Sequence, residues 1–424
     1  MAGPKPHLMA NLVGLSDSAT VAINERSNAL RAQGRDIVKL GLGQSPFPVP
    51  DAVVAALRSH AHEKDYLPVK GLPLLRDAVA EFHARRDGIE GRSGEDVVIG
   101  PGTKELLFLL QLVYGANLVI PSPAWVSYAP QAQLLGRPWH AVDTDPLDGW
   151  RLTPQALDAL CIAQGPRPRI LVLNYPCNPT GLTLDAERLE GIAEVARRHE
   201  MVVLSDEIYG ELHHAGGHVS IARFYPEGTI VSAGLSKWCG AGGWRLGTFL
   251  YPPELHWLRD AVAVAASETF TSVSAPIQYA AVTAFQPSSA IEDYLDRSRR
   301  VLRALGPWCA AQLRGAGAHC PDPEGGFYLL PDLGRLRDVL ETRGIFSARS
   351  VCEALLESTG VAVLPGADFG RPAMELTVRL AYVDFDGAAA LAAAQPGAAL
   401  DPDWLRAHCP RVVSGIERMV GWLT

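Results

Sequence analysis

The chain has 424 residues, 48% of them hydrophobic and 20% charged, with a formal net charge of −8. This is an ordinary globular composition, long enough for one large domain and a smaller one; the negative balance, with no basic block, excludes an electrostatic nucleic-acid face. No apolar run reaches membrane-spanning length, no signal-peptide core stands at the N-terminus, and the seven scattered cysteines lack metal-site spacing, so a reducing, cytoplasmic setting is expected.

Residues 15–35 read as a polar helix with Ser16 or Asp17 as its cap. The glycine- and proline-bearing stretch from Leu40 to Pro50 must be irregular. A helix over 51–60 follows, then a loop from Tyr66 to Gly71 and helical spacing over 72–85. Beyond it, short apolar strands alternate with helices. The strands are predicted over 96–100, 117–121, 138–142, 169–175, 201–206, 229–233 and 245–251, the helices over 104–114, 125–135 and 185–199. Such alternation predicts an α/β fold with a mostly parallel seven-stranded sheet covered on both faces. Ligands of such sheets lie beyond the carboxyl ends of the strands.

After about residue 290 the pattern changes to a long charged helix over 291–313, further strands, and a terminal helix opened by Asp401 as cap and Pro402 in its first turn. This is the expected smaller α+β domain, 291–424. The N-terminal segment 1–48 is expected to join it, leaving 49–290 as the large domain. The alanine-rich stretch 388–400 reads as a surface loop, and no internal repeat is present. His213, His214 and His218 lie close together without an accompanying carboxylate or cysteine pattern, so no metal site is expected.

Five stretches carry chemistry. Lys237, in Gly234-Leu235-Ser236-Lys237, follows a buried strand and precedes a glycine-rich loop. Burial and nearby cations disfavour its ammonium form, which makes it a ready Schiff-base former, although taken alone it reads more readily as a surface lysine in a glycine loop. Gly100-Pro101-Gly102-Thr103-Lys104 turns straight into a helix, a geometry suited to a phosphate but shared by many glycine turns. Asn174 and Asn178 flank prolines that forbid regular structure, and Asn178 precedes Pro179. Asp206 ends an apolar run; buried, it needs a cationic partner, although it could instead cap the next helix. Arg379 stands among apolar neighbours in Glu375-Leu376-Thr377-Val378-Arg379, where an arginine binds a carboxylate or lies on an edge strand.

Taken together, Asn178-Pro179-Thr180-Gly181, Asp206-Glu207-Ile208-Tyr209 and Ser236-Lys237 with Gly243-Trp244-Arg245-Leu246-Gly247 resemble the class I/II aminotransferases of pyridoxal-phosphate fold type I, the family of aspartate aminotransferase. The resemblance runs in order from Gly43 to Arg379. It implies that Lys237 holds pyridoxal 5'-phosphate as a Schiff base and shuttles the proton, that Asp206 pairs with the pyridinium nitrogen, and that Asn178 and Tyr209 bond the phenolic oxygen. It further implies that Trp125 stacks on the ring, while Gly102, Thr103, Lys104, Ser236 and Arg245 hold the phosphate. Tyr66 would reach the phosphate of a second subunit in a homodimer.

For the substrate, the resemblance implies that Arg379 clamps the α-carboxylate beside Asn178, under a closing segment that contains Gly43. Lys104, with Trp125-Val126-Ser127-Tyr128, resembles a branch that handles dicarboxylates, so aspartate or glutamate with a 2-oxo acid is the expected pair. One departure is Gly234, where many relatives carry a serine. Amino-acid lyases, decarboxylases, oxidases and hydroxylases share the fold and its cofactor residues. An effector-sensing, non-catalytic role would call for a DNA-binding domain ahead of Gly41, for which the N-terminus leaves no room.

Overall fold

The computed structural model describes His7, residues 9–15 and residues 19–424. In chain order its strands are β1 (Val38–Lys39), β2 (Val97–Gly100), β3 (Asn117–Ser122), β4 (Trp139–Asp143), β5 (Arg169–Asn174), β6 (Val202–Asp206), β7 (Thr229–Gly234), β8 (Gly247–Leu250), β9 (Tyr328–Leu329), β10 (Val361–Ala362), β11 (Leu364–Pro365) and β12 (Val378–Ala381). Seven of them form one sheet in the spatial order β2-β8-β7-β6-β5-β3-β4. The pairings from β4 through β3, β5 and β6 to β7 are parallel, and β8 runs antiparallel to both β7 and β2.

The two-residue period of a strand puts alternate side chains on opposite faces. Ile170 and Val172 of β5 therefore pack with Leu106 and Leu110 of the helix Thr103–Val113, whereas Leu171 and Leu173 pack with Leu189 and Ile192 of the helix Ala186–Arg198. Both faces are covered, as an all-apolar parallel strand requires. A second, antiparallel sheet of order β11-β12-β9 lies in the C-terminal part of the chain, and β1 pairs in parallel with β10, which carries the N-terminal segment there.

Several boundaries differ from the sequence reading for local reasons. The strand expected to start at Arg245 starts at Gly247, because Arg245 takes a left-handed conformation (φ 58°) that turns its guanidinium back toward the Gly242 and Pro101 carbonyls. Trp125 lies ahead of its helix, which spans only Tyr128–Leu134. The helix Pro154–Gln164, capped by Thr153, and the helices His256–Ser267 and Ala275–Phe285 were not read from the pattern at all. The alanine-rich stretch is not simply a loop: Asp386 accepts hydrogen bonds from the Ala388 and Ala389 N–H groups and caps a helix, Gly387–Ala393, that buries Ala390 and Leu391. Alanine is the strongest helix former, so propensity prevails there. Asp401 caps the helix Pro402–His408 as expected, but Pro410 restarts the chain as a separate helix, Pro410–Leu423. The first long helix is Ala19–Ala32, and its expected cap, Ser16 or Asp17, lies outside the described residues.

Candidate active site

The functional side chains gather where the strands end. Asn174 and Asp206 are the last residues of β5 and β6, Gly234 closes β7 three positions before Lys237, and Gly100 closes β2 ahead of the helix Thr103–Val113. A cavity of about 480 Å³ opens there, lined among others by Gly43, Lys104, Trp125, Asn178, Asp206 and Lys237. Thr103, Tyr209, Ser236 and Arg245 also face it.

Lys237 is half-buried, with its free surface on the cavity. Its Nζ donates to the Gly43 carbonyl at 2.7 Å and lies 5.7 Å from the centre of the Tyr209 ring. Loss of hydration, reinforced by the positive charge of Arg379, lowers its pKa to about 8, against the opposing pull of Asp206. A usable fraction of neutral amine is therefore present near neutral pH.

Asp206 is buried, and burial raises its pKa to about 6 even though Tyr128 donates to its Oδ2 at 2.5 Å. Its Oδ1 is buried with no partner among the described residues. A buried carboxylate oxygen facing a cavity without a donor calls for a cationic N–H. Asn174 steadies this corner by donating from Nδ2 to the Asp206 carbonyl at 2.8 Å and accepting from the Asn178 N–H at 2.8 Å.

The opposite end of the cavity is shaped for an anion. The N–H groups of Thr103 and Lys104, in the first turn of an eleven-residue helix, have no intrahelical acceptor. The Gly102 N–H is instead turned to the Gly100 carbonyl at 2.7 Å, so Gly102 contributes space rather than a donor. That space matters: a Cβ on Gly102 would stand 2.1 Å from Arg245 Nη2, and one on Gly247 would stand 2.3 Å from the Thr103 nitrogen. Gly234 has a similar reason to lack a side chain, since a Cβ there would meet the Leu246 carbonyl oxygen at 2.7 Å.

At the substrate end, Arg379 is fully buried and does not line the cavity. Its guanidinium lies between the rings of Tyr328 and Phe369, 4.9 Å from each, and donates to Asn178 Oδ1 at 3.3 Å and to the Gly41 carbonyl, while Nε has no partner among the described residues. The Gly41–Gln44 segment thus rests on both Arg379 and Lys237. Gly43 admits no side chain, because a Cβ would fall 1.9 Å from the Tyr328 hydroxyl. Lys104 is exposed, its Nζ 5.3 Å from the centre of the Trp125 ring, and burial of its surroundings together with Arg245 lowers its pKa. Tyr66 is not brought to the cavity of its own chain; it is 90% exposed.

Aminotransferase class I and II matches the chain over residues 35–388. The protein belongs to this family. The aspartate aminotransferase of Geobacillus stearothermophilus is 33% identical over 88% of this aminotransferase and 94% of the relative. The aspartate/prephenate aminotransferase of Thermus thermophilus is 34% identical over 85% and 91% of the two chains. A solved structure of the Thermus thermophilus aspartate aminotransferase with maleate superimposes with a TM-score of 0.84 at 29% identity, covering 98% of this chain and all of the other. Members of the family use pyridoxal phosphate, and the orphaned Asp206 Oδ1, the glycine-lined helix N-terminus and the depressed Lys237 amine fit that group.

Two residues of the aminotransferase site escaped the sequence reading as site residues. Tyr128, the donor to Asp206, stood in a quoted motif that was read for Trp125 and for substrate class, with no role given to the tyrosine itself. Tyr328 meets the Tyr209 hydroxyl at 2.8 Å. The signal for it was the glycine pair Gly325-Gly326 ahead of two aromatics, a place where the backbone bends to lay rings against a site.

Proposed function

We propose that this aminotransferase uses pyridoxal 5'-phosphate to move the amino group of aspartate or glutamate to a 2-oxo acid such as 2-oxoglutarate or oxaloacetate. The reading is carried by one cavity that joins a lysine of lowered pKa to a buried carboxylate oxygen without a donor. When bound, the cofactor supplies an electron sink that makes the substrate α-hydrogen acidic.

The chain's own groups do the rest. Lys237 holds the cofactor through Nζ and, once released, accepts and returns a proton there. Asp206 keeps a positive charge on the ring nitrogen, Asn178 and Tyr209 donate to the phenolic oxygen, and Trp125 covers a ring face. The N–H groups of Thr103 and Lys104, with Ser236 and Arg245, hold the phosphate. Arg379 offers its guanidinium to the α-carboxylate when the Gly41 carbonyl gives way, and the Gly41–Gln44 segment then excludes water. A homodimer in which Tyr66 serves the partner's phosphate, a cytoplasmic location, and a division into 1–48, 49–290 and 291–424 belong to the same reading. The pairing of β1 with β10 supports that division.

A screen of amino donors with 2-oxoglutarate, and of glutamate with oxaloacetate, each read by the amino-acid product, tests this proposal: aspartate is expected to lead the first, and an enzyme inert toward both aspartate and glutamate would overturn it. Lys104→Ala is expected to lower kcat/KM for aspartate by about 10–100-fold, the worth of one charge-assisted contact, and to leave alanine turnover nearly unchanged. Equal losses on both substrates would remove Lys104 from side-chain recognition. Arg379→Lys is expected to raise KM for every amino acid by roughly 10–100-fold, because an ammonium cannot reproduce the two-pronged contact. A loss confined to one substrate would contradict that role.

A further inference from the structure

His218 lacks ligand partners in its own sequence neighbourhood, but the fold brings two carboxylates to it. Glu207 follows Asp206 at the end of β6, and Asp87 is the last residue of the helix Pro73–Asp87. One donor atom from each of Asp87, Glu207 and His218 lies within 4.8 Å of the other two. His218 Nε2 stands 2.8 Å from Glu207 Oε2, and the ring packs on Gly210, where a Cβ would stand only 3.0 Å away.

The rest of each carboxylate is held from behind. Glu207 Oε1 accepts from Ser205 Oγ and Ser220 Oγ, both at 2.6 Å, and from the Tyr175 hydroxyl at 3.4 Å. Asp87 Oδ2 is 2.6 Å from His83 Nδ1. The nearby cations are committed elsewhere, since Arg86 and Arg299 pair with Glu211 at 3.2 and 3.0 Å. Among the described residues His83, 1% exposed, has no partner for Nε2, and His218, whose side chain is 8% exposed, has none for Nδ1. Both histidines and both carboxylates line one small space of about 20 Å³, room for a single water beside the three donor atoms. Glu207, fixed through Oε1 while Oε2 meets His218, is arranged as a metal-ligating carboxylate is.

We propose that Asp87, Glu207 Oε2 and His218 Nε2 bind one divalent transition-metal ion. One imidazole with two carboxylates is a borderline donor set, which selects zinc over magnesium or calcium. The ion takes the place of the proton shared by His218 and Glu207, which leaves to solvent, and a water in the small space completes four-coordination. The two ligand atoms then move apart from 2.8 Å toward the roughly 3.4 Å that tetrahedral bonds of about 2.1 Å impose. The ion joins the helix Pro73–Asp87 to the strand that presents Asp206, and no catalytic step passes through it.

The test uses the intact, cofactor-loaded enzyme. Metal content is measured as purified, after dialysis against a chelator, and after addition of zinc alone, with thermal unfolding followed in parallel. About one zinc per chain is expected, with a melting temperature that falls on chelation and returns with zinc. Cobalt in its place is expected to give visible bands separate from those of the cofactor. Glu207→Gln and His218→Gln are each expected to reduce zinc to background, while the wild-type chelation series needs no variant to fold. Wild-type enzyme without stoichiometric zinc and with a melting temperature indifferent to it, or zinc retained in both variants, would overturn the proposal.

Discussion

Lys237→Ala is expected to lower transamination by roughly four orders of magnitude, since it removes both the covalent anchor and the proton carrier. Among the described residues no second amine can take over: the other lysine lining the cavity, Lys104, stands over the Trp125 ring. The same lysine predicts a pH dependence that needs no turnover. Its pKa falls from 10.5 in the free side chain to about 8 in the fold, with burial the leading cause. A base whose folded pKa is depressed costs stability as pH falls from 10.5 to 8, and the cost is complete below 8. Replacement by methionine in the apoprotein is therefore expected to raise stability at pH 7 by roughly 2–3 kcal/mol, with the difference gone above about pH 10.5. Denaturant unfolding of the two apoproteins across that range checks the sign. A difference independent of pH would mean that residue 237 is a hydrated ammonium.

Asp206→Asn is expected to lower kcat by about a thousandfold while the protein still binds cofactor, because the change removes charge and almost nothing else. Asparagine keeps the volume and can still accept from the Tyr128 hydroxyl, which bonds Oδ2 in the wild type. Lost is the negative charge at Oδ1, the buried atom that has no donor among the described residues. Steady-state kinetics with a cofactor-binding titration separates the two effects. A variant with unchanged kcat would show that the carboxylate is structural, and one that loses cofactor binding along with activity would shift its role from charge to anchoring.

The parts of the fold and site that could be read from the sequence are those whose cause is local. Apolar runs ending in Asp206 and Gly234 announce parallel strands and their carboxyl ends, and Asn178 and Lys237 sit in short motifs set by proline and glycine. What was missed depends on contacts between distant parts of the chain. Tyr128 and Asp206 are 78 positions apart, and Tyr209 and Tyr328 are 119 apart. No spacing rule reaches that far. His218 shows the same thing in another form, for the carboxylates around it come from the end of β6 and from the helix Pro73–Asp87. The helix Ala275–Phe285 was missed for a different reason: it is largely buried, so its apolar residues show no amphipathic period.

The most direct measurement is borohydride reduction of the cofactor-loaded enzyme followed by peptide mapping. The account predicts one modified peptide, carrying the reduced cofactor on Lys237. A label on any other lysine, or an enzyme that turns over fully with no label at all, would contradict it.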